Sequence, residues 1–493
     1  MVQLAMQNTT PSFPGFHLPT LRRKPRSASQ KLIDEKAKIK EKSFSELAGY
    51  LAHIIPIKEL TKPSTGKMSR QRIFSKENTF WAFFSQILDA DGGCQEVIRK
   101  LQAVAAVESK PMPSSSTSAY CQARKNLDLA ELQLMLSTMS KRRLGAASKE
   151  LGGRRVIVAD GTGITMPDTP SNQESWPQQR HQKVGCGFPQ ARICACFDLE
   201  SGILISHEIG NKKSSELPLL RKQWKHFNDG DIFLGDKGFC SYYDLSQFVD
   251  RGVDSVVTLG IRKPIKATEA DQILGEDDLL VHWNRPKPNK RSSYSQTELD
   301  ALPEQLMIRQ IRVKVAQKGF RVSHFYIATT LLDPIRYPAK VIADLYFKRW
   351  EVELSFRHIK TTMGMDVLRC KTPDMILKEI TMHMIAYNGI RQLMVEAASR
   401  NGVAQRRISF KGSLQAIRQW EPLLKHAKLR RLNRQQLLDH LYQLIGGLVV
   451  LERPGRREPR ALKRRPKSFQ LMTRPRHLMQ EIAHRGRTYA KPA

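Results

Sequence analysis

The chain has 493 residues and a formal net charge of +34 at pH 7, with a sequence pI near 10.1. That length accommodates about three domains, and the charge speaks about partners, with nucleic acid first because a polyphosphate releases counterions to Lys and Arg. The longest apolar run, Leu444 to Leu451, is too short to span a bilayer, no secretion signal opens the chain, and seven scattered cysteines argue against a disulfide framework. A protein of the reducing cytoplasm, held on the nucleoid and not on a membrane, is expected.

Residues 1–30 are rich in Pro and Ser and carry Arg22, Arg23, Lys24 and Arg26, which reads as a basic flexible arm. Residues 31–150 read as a helical N-terminal region expected to bind DNA. Within it, KENTFWAFFSQILD places Phe80, Phe83, Phe84 and Ile87 on one side of a helix, and a second helix runs from about Cys94 to Val107. The linker KPMPSSSTS follows, and AYCQARKNLDLAELQLMLSTMSKRR is helical again. Helices around a polar turn, with Arg124 and Lys125 near the start of the last one, fit a helix-turn-helix that presents those two cations to DNA. A plain helical bundle fits equally well.

At Arg154 the texture changes to short β-branched runs. RRVIVAD is a strand ending on Asp160, GTGITMPDTPSN a loop, and ARICACFDLESGILISHEIG a hairpin turning at Ser201-Gly202. SSELPLLRKQWKHF is a helix capped by Ser214 or Ser215, DIFLGDKGF a strand ending on Asp236, SYYDLSQFVDRG a helix, and DSVVTLG a fifth strand. The order β-β-β-α-β-α-β predicts an α/β fold with a ribonuclease H-like core, its first part over residues 151–260. In that core the first and fourth strands adjoin, which brings Asp160 and Asp236 to neighbouring strand ends. Cys194 and Cys196 alternate on a strand and read as core thiols in preference to zinc ligands.

Residues 261–325 form a β-rich insertion, with strands joined across Gln317-Lys318-Gly319 and a single Trp, Trp283. Residues 326–400 resume the core. Within them YFKRWEVELSFRHIK, Tyr346 to Lys360, has no Gly or Pro and predicts one helix. At about 100° per residue, Tyr346, Arg349, Glu353 and Lys360 share an arc of roughly 60°, with Arg357 beside it. Leu345, Val352, Phe356 and Ile359 form an adjoining apolar stripe that would face the core. Glu351 falls on the far side and reads as a solvated glutamate. KEITMHMIAYNGIRQLMVEAASR reads as an amphipathic helix closed by Asn401-Gly402. Residues 401–451 are a helical C-terminal region. Residues 452–493 hold thirteen Lys or Arg against three acids, a basic tail.

Two aspartates from strand ends and one glutamate from a core-packed helix supply hard oxygen ligands, as Mg²⁺ or Mn²⁺ take. Two such ions per site suit an in-line displacement at phosphate, and Arg349 and Lys360 lie on the same helix face as Glu353.

The spacing Y-x2-R-x3-E-x6-K resembles the YREK signature of the insertion-sequence-four family of DDE transposases. VIVADGTGITMPDT and FLGDKGF resemble the segments around that family's two catalytic aspartates. The resemblance covers roughly residues 150–415. It implies a transposase that binds terminal inverted repeats and performs metal-dependent strand cleavage and strand transfer, through a hairpin in the relatives that use one. Asp160, Asp236 and Glu353 would be catalytic and hold the metal ions. Tyr346, Arg349, Lys360 and Arg357 would contact DNA, Trp283 would stack a flipped base, and a homodimer would hold two transposon ends against target DNA. A nuclease on the same core that does not join, and a DNA-binding regulator without catalysis, remain the other readings.

Overall fold

The computed structural model describes residues 51–451, apart from the stretches 52–53, 62–64, 67, 70–72, 108–110, 142–150, 180–182, 184, 212–213, 261–263, 288–293, 315–323 and 427–432, and describes Leu478. The basic arm at 1–30 and, but for Leu478, the basic tail at 452–493 lie outside the described residues, as does the turn at Gln317-Lys318-Gly319.

Nine strands make one sheet: β1 (Val156–Thr165), β2 (Gln190–Asp198), β3 (Leu204–Asn211), β4 (Ile232–Gly235), β5 (Asp254–Thr258), β6 (Gln272–Gly275), β7 (Asp278–Asn284), β8 (Gln305–Lys314) and β9 (His324–Thr329). Their order is β3-β2-β1-β4-β5-β9-β8-β7-β6. The first three run antiparallel to one another, and β1, β4 and β5 are mutually parallel. β9 pairs antiparallel with β5, and β8, β7 and β6 continue outward from it. The insertion therefore widens the same sheet, because its strands find a free edge at β5 by way of β9. β1 is longer than its sequence predicts. It runs past Asp160 to Thr165 because β2 supplies cross-strand partners through Gln190, a tertiary effect that the loop-like GTGIT does not reveal.

Alternation along β1 separates two cores. Val156 and Val158 face one apolar cluster, whereas Ile157 and Ala159 face the other. On the second face pack α5 (Glu216–Arg221), α6 (Tyr242–Asp250) and α7 (Gln296–Asp300). On the first face lie α8 (Ala339–Phe347), α9 (Glu351–Arg357) and α10 (Pro373–Asn401). The predicted amphipathic pattern in α10 gives way to burial on nearly all sides, because the N-terminal helices cover the face turned away from the sheet. Gly402 closes α10 in the left-handed conformation, φ 64°.

The N-terminal helices α1–α4 are Lys76–Leu88, Cys94–Val107, Ser118–Lys125 and Leu129–Ser140. Phe80, Trp81, Phe83 and Phe84 of the first are fully or almost fully buried, in the cluster that also holds Ile380, Met384 and Tyr387 of α10. Each such ring contributes about 2–3 kcal/mol of burial. The region is a helical bundle whose core is continuous with the first face of the sheet. Among the described residues no helix is long and apolar enough to cross a membrane.

Candidate active site

Parallel pairing of β1 with β4 sets Val156 opposite Ile232, Ile157 opposite Phe233 and Val158 opposite Leu234. Asp160 and Asp236 each lie two positions beyond that last pair, Asp236 just past the end of β4 and Asp160 midway along β1, where the pairing with β4 stops. Asp160 Oδ1 accepts from the Gly161 N–H at 2.7 Å. Asp236 caps a 3₁₀ turn over Lys237–Phe239, its Oδ1 accepting from the Gly238 N–H at 2.8 Å.

The signature stretch is not one uniform helix. α8 ends at Phe347, a 3₁₀ turn over Lys348–Trp350 carries Arg349, α9 carries Glu353, and a π turn over His358–Thr362 carries Lys360. The tight and the wide turn re-aim the side chains that a regular wheel would place, and π turns recur at functional sites. Lys360 Nζ donates to Thr162 Oγ1 at 3.1 Å and to the Gly163 carbonyl at 2.7 Å. Together with the edge-on contact of Phe356 with Phe197, ring centroids 5.5 Å apart, this seats α9 across β1 beyond Asp160. The Tyr346 phenol is buried, 9% exposed, and shares a short hydrogen bond with Thr258 Oγ1 at the end of β5. Arg349 is equally buried, its Nη2 is 3.6 Å from Glu353 Oε1, and its Nε has no hydrogen-bond partner among the described residues. Glu353 and Arg357 are exposed.

Burial pushes Asp160 up to about 6, against the Gly161 N–H; Glu216 raises it further, Arg349 lowers it, and Asp236 raises it. Burial is the main cause, and the charges of Glu216 and Asp236 add to it. As they stand, no three His, Cys, Asp or Glu side chains among the described residues are grouped closely enough to hold a metal ion. Each acid instead rests on a local donor or cation. An unfolded aspartate titrates near ~3.9. Between there and about 6 the folded chain keeps a proton that the unfolded chain has lost, so stability falls as pH rises through this window. In chelator-treated protein, Asp160→Asn is therefore expected to gain on the order of 2 kcal/mol at pH 7 and nothing at pH 4. Denaturant unfolding at both pH values checks this; an equal effect at the two would refute it.

Three sequence expectations are corrected. Trp283 is 2% exposed, packed on the second face of the sheet with Leu299, Leu302 and Leu306, so burial removes it as a platform for a flipped base. Arg124 is 8% exposed inside the N-terminal bundle, where Nη1 donates to Gln86 Oε1 at 3.1 Å and the guanidinium lies over Phe83. It is a core cation rather than a DNA contact, whereas Lys125 is exposed beside it. Glu351 is half-buried, lining a cleft of about 310 Å³ with Arg391, Arg406 and His358, and burial raises its carboxyl above the usual range. Cys194 and Cys196 are fully buried core thiols.

Sequence reasoning also passed over Glu216, whose charge acts on Asp160, and Thr162, Gly163 and Thr258, the anchors of the signature stretch. Only the glycine at 161 hinted at a close approach.

The profile of the family described as "Transposase DDE domain" matches residues 151–388. The chain is 27% identical over 404 residues to the transposase InsG for insertion sequence element IS4 of Escherichia coli (strain K12), covering 80% of this chain and 87% of that protein. The transposase for insertion sequence element IS421 of Escherichia coli is 32% identical over 78 residues, 16% of this chain and 21% of that protein. Among solved structures, the piggyBac transposase synaptic complex with hairpin DNA is 11% identical, with a TM-score of 0.39, over 85% of this chain and 86% of that one. With Asp160 and Asp236 on neighbouring strands and its signature stretch laid across β1, the chain is similar to the DDE transposases and, over most of its length, to the transposase of insertion sequence element IS4.

Proposed function

We propose that this transposase binds the terminal inverted repeats of its insertion sequence as double-stranded DNA, cuts at each end, and joins the freed 3′-hydroxyls to target DNA. The centre is Asp160, Asp236 and Glu353, on a ribonuclease H-like core. The observation that carries this reading is the register: β1 and β4 run parallel side by side, so two aspartates far apart in sequence lie at the same level on neighbouring strands, where β4 ends. The hydrogen bonds of Lys360 to β1, which seat the signature stretch on that strand, support including Glu353 in the centre.

The donor set is carboxylate oxygen throughout, which fits Mg²⁺ or Mn²⁺, two ions per site, once the acids turn from their present local partners. When bound, such ions supply activation of the attacking oxygen and charge stabilisation at the leaving one. The chain's own residues hold the substrate. Arg349 offers its buried, unpaired Nε to a phosphate oxygen, and exposed Arg357 meets the backbone beside it. Tyr346 and Lys360 act from behind, fixing the stretch on β5 and β1. Lys125 and the basic termini add charge for DNA, and a homodimer holds two ends at once in the cytoplasm, on the nucleoid. With Trp283 buried, no aromatic of the insertion is assigned to a hairpin step.

The test is strand transfer. Pre-cut end DNA bearing a free 3′-hydroxyl, mixed with plasmid target and Mg²⁺ or Mn²⁺, is expected to yield joined products. Nicking without joining would make the protein a nuclease and overturn the proposal. In the same assay Glu353→Gln is expected to be inactive and Glu351→Gln close to wild type. Equal loss in both would remove Glu353 from the centre.

A further inference from the structure

Two half-buried thiols that the proposed chemistry does not use meet in the N-terminal bundle. Cys94 opens α2, just after Gly92 turns the chain out of α1 in the left-handed conformation, φ 63°. Cys121 lies in α3, 27 positions further on, and its thiol donates to Cys94 Sγ at 3.9 Å. The meeting is held from α1. Gln86 Oε1 accepts from the hydroxyl of fully buried Tyr120 at 2.6 Å, and Gln86 Nε2 donates to Cys94 Sγ at 3.8 Å. One amide thus fixes both the residue before Cys121 and the sulfur opposite it.

Cys186, Cys194, Cys196 and Cys370 are buried, as small core thiols usually are. Cys94 and Cys121 differ in two ways. Each is partly open to solvent, so a small oxidant can reach it, and the two sulfurs face each other from separate helices. Closing that gap to the ~2.0 Å of a disulfide moves each sulfur by about 1 Å, within the reach of a turn about Cα–Cβ and a slight helix shift. Burial raises the Cys94 thiol above its ordinary range, while the charge of Arg124 lowers it. That guanidinium is itself held on Gln86 Oε1 at 3.1 Å, so a cation stands ready beside a forming thiolate.

We infer that Cys94 and Cys121 are a redox-sensitive pair, which a peroxide closes to a disulfide and a small thiol reopens, locking α2 to α3. One thiolate attacks a peroxide oxygen; the O–O bond breaks, water leaves, and a sulfenic acid remains. The second sulfur attacks that sulfur, the S–O bond breaks, and a second water leaves. Two thiols have then given two electrons to one peroxide. Reopening by exchange oxidises two small thiols to their own disulfide. Bridges in chains with otherwise free cysteines are typically of this transient kind.

The experiment treats the reduced full chain with hydrogen peroxide, alkylates the remaining thiols, and maps disulfides by mass spectrometry of the digest. The expected result is a cross-linked peptide joining positions 94 and 121, lost again on dithiothreitol. The oxidised chain should melt about 5–10 °C higher, because the bridge restricts the unfolded chain. Cys94→Ser and Cys121→Ser should each abolish both the peptide and the rise in Tm. Cys240→Ser, at a half-buried thiol elsewhere, should keep both. The inference is overturned if peroxide leaves Cys94 and Cys121 as free to alkylate as before, or carries them separately to sulfinic acids. A bridge that forms but leaves Tm unchanged or lower would overturn it equally, because the bond would then strain the bundle and not lock it.

Discussion

Asp236→Asn is expected to lower cleavage at the transposon end by about 10³-fold, roughly 4 kcal/mol in the barrier, while leaving end binding within a few-fold of wild type. The substitution is nearly isosteric. Asn keeps an Oδ1 that can accept from the Gly238 N–H, so the 3₁₀ turn after β4 and its packing survive. What disappears is the negative charge that acts on Asp160 of the neighbouring strand. Binding should persist because the remaining cations, including the buried Arg349, are untouched, and phosphate contacts carry most of the affinity. Gel-shift and cleavage assays on one labelled end fragment separate the two effects. A variant that cuts normally would remove Asp236 from the centre, and one that neither cuts nor binds would reassign it to the DNA interface.

A second large effect is expected far from the chemistry. Arg309 on β8 is fully buried and forms a bidentate pair with Asp278 on β7, Nε to Oδ1 at 2.8 Å. Its Nη1 also donates to the Tyr337 carbonyl at 2.7 Å and to the Leu331 carbonyl at 3.3 Å. One guanidinium thus ties the insertion to the segment that enters α8 and the signature stretch. Arg309→Met keeps bulk but strands the Asp278 carboxylate, which is only 8% exposed, and the carbonyls. Breaking a buried pair from one side costs about 3–5 kcal/mol. At roughly 2–4 °C per kcal/mol for a chain of this class, Tm should fall by about 10 °C. Adding Asp278→Leu should restore part of the loss, since no charge is then left unpaired. A Tm within a degree or two of wild type for the single variant would show that the pair is not a structural tie.

Much of the site was legible in the linear order of residues. β-branched runs ending in Asp160 and Asp236, and a Tyr-Arg-Glu-Lys spacing on a helical stretch, depend on local propensity and periodicity, which act over a few residues. What stayed hidden depended on partners distant in sequence. β1 could extend through GTGIT because β2 pairs with it, and the insertion could join the sheet because β9 offers an edge. Trp283 and Arg124 look alike from either side of a fold. An indole on an alternating strand shows its face only once the facing helix is known, and a guanidinium at a helix start shows its role only once Phe83 and Gln86 close over it.

The resemblance to the DDE transposases and the choice of candidate acidic residues follow from the order of residues along the chain, since each motif is a short run of spaced chemistry. Tertiary structure alone decided which cations are free to meet phosphate, which are committed to the protein, and that Glu216 stands against Gly161. The reason is that burial and electrostatic pairing are set by neighbours through space, and those neighbours come from strands and helices whose packing no local pattern encodes.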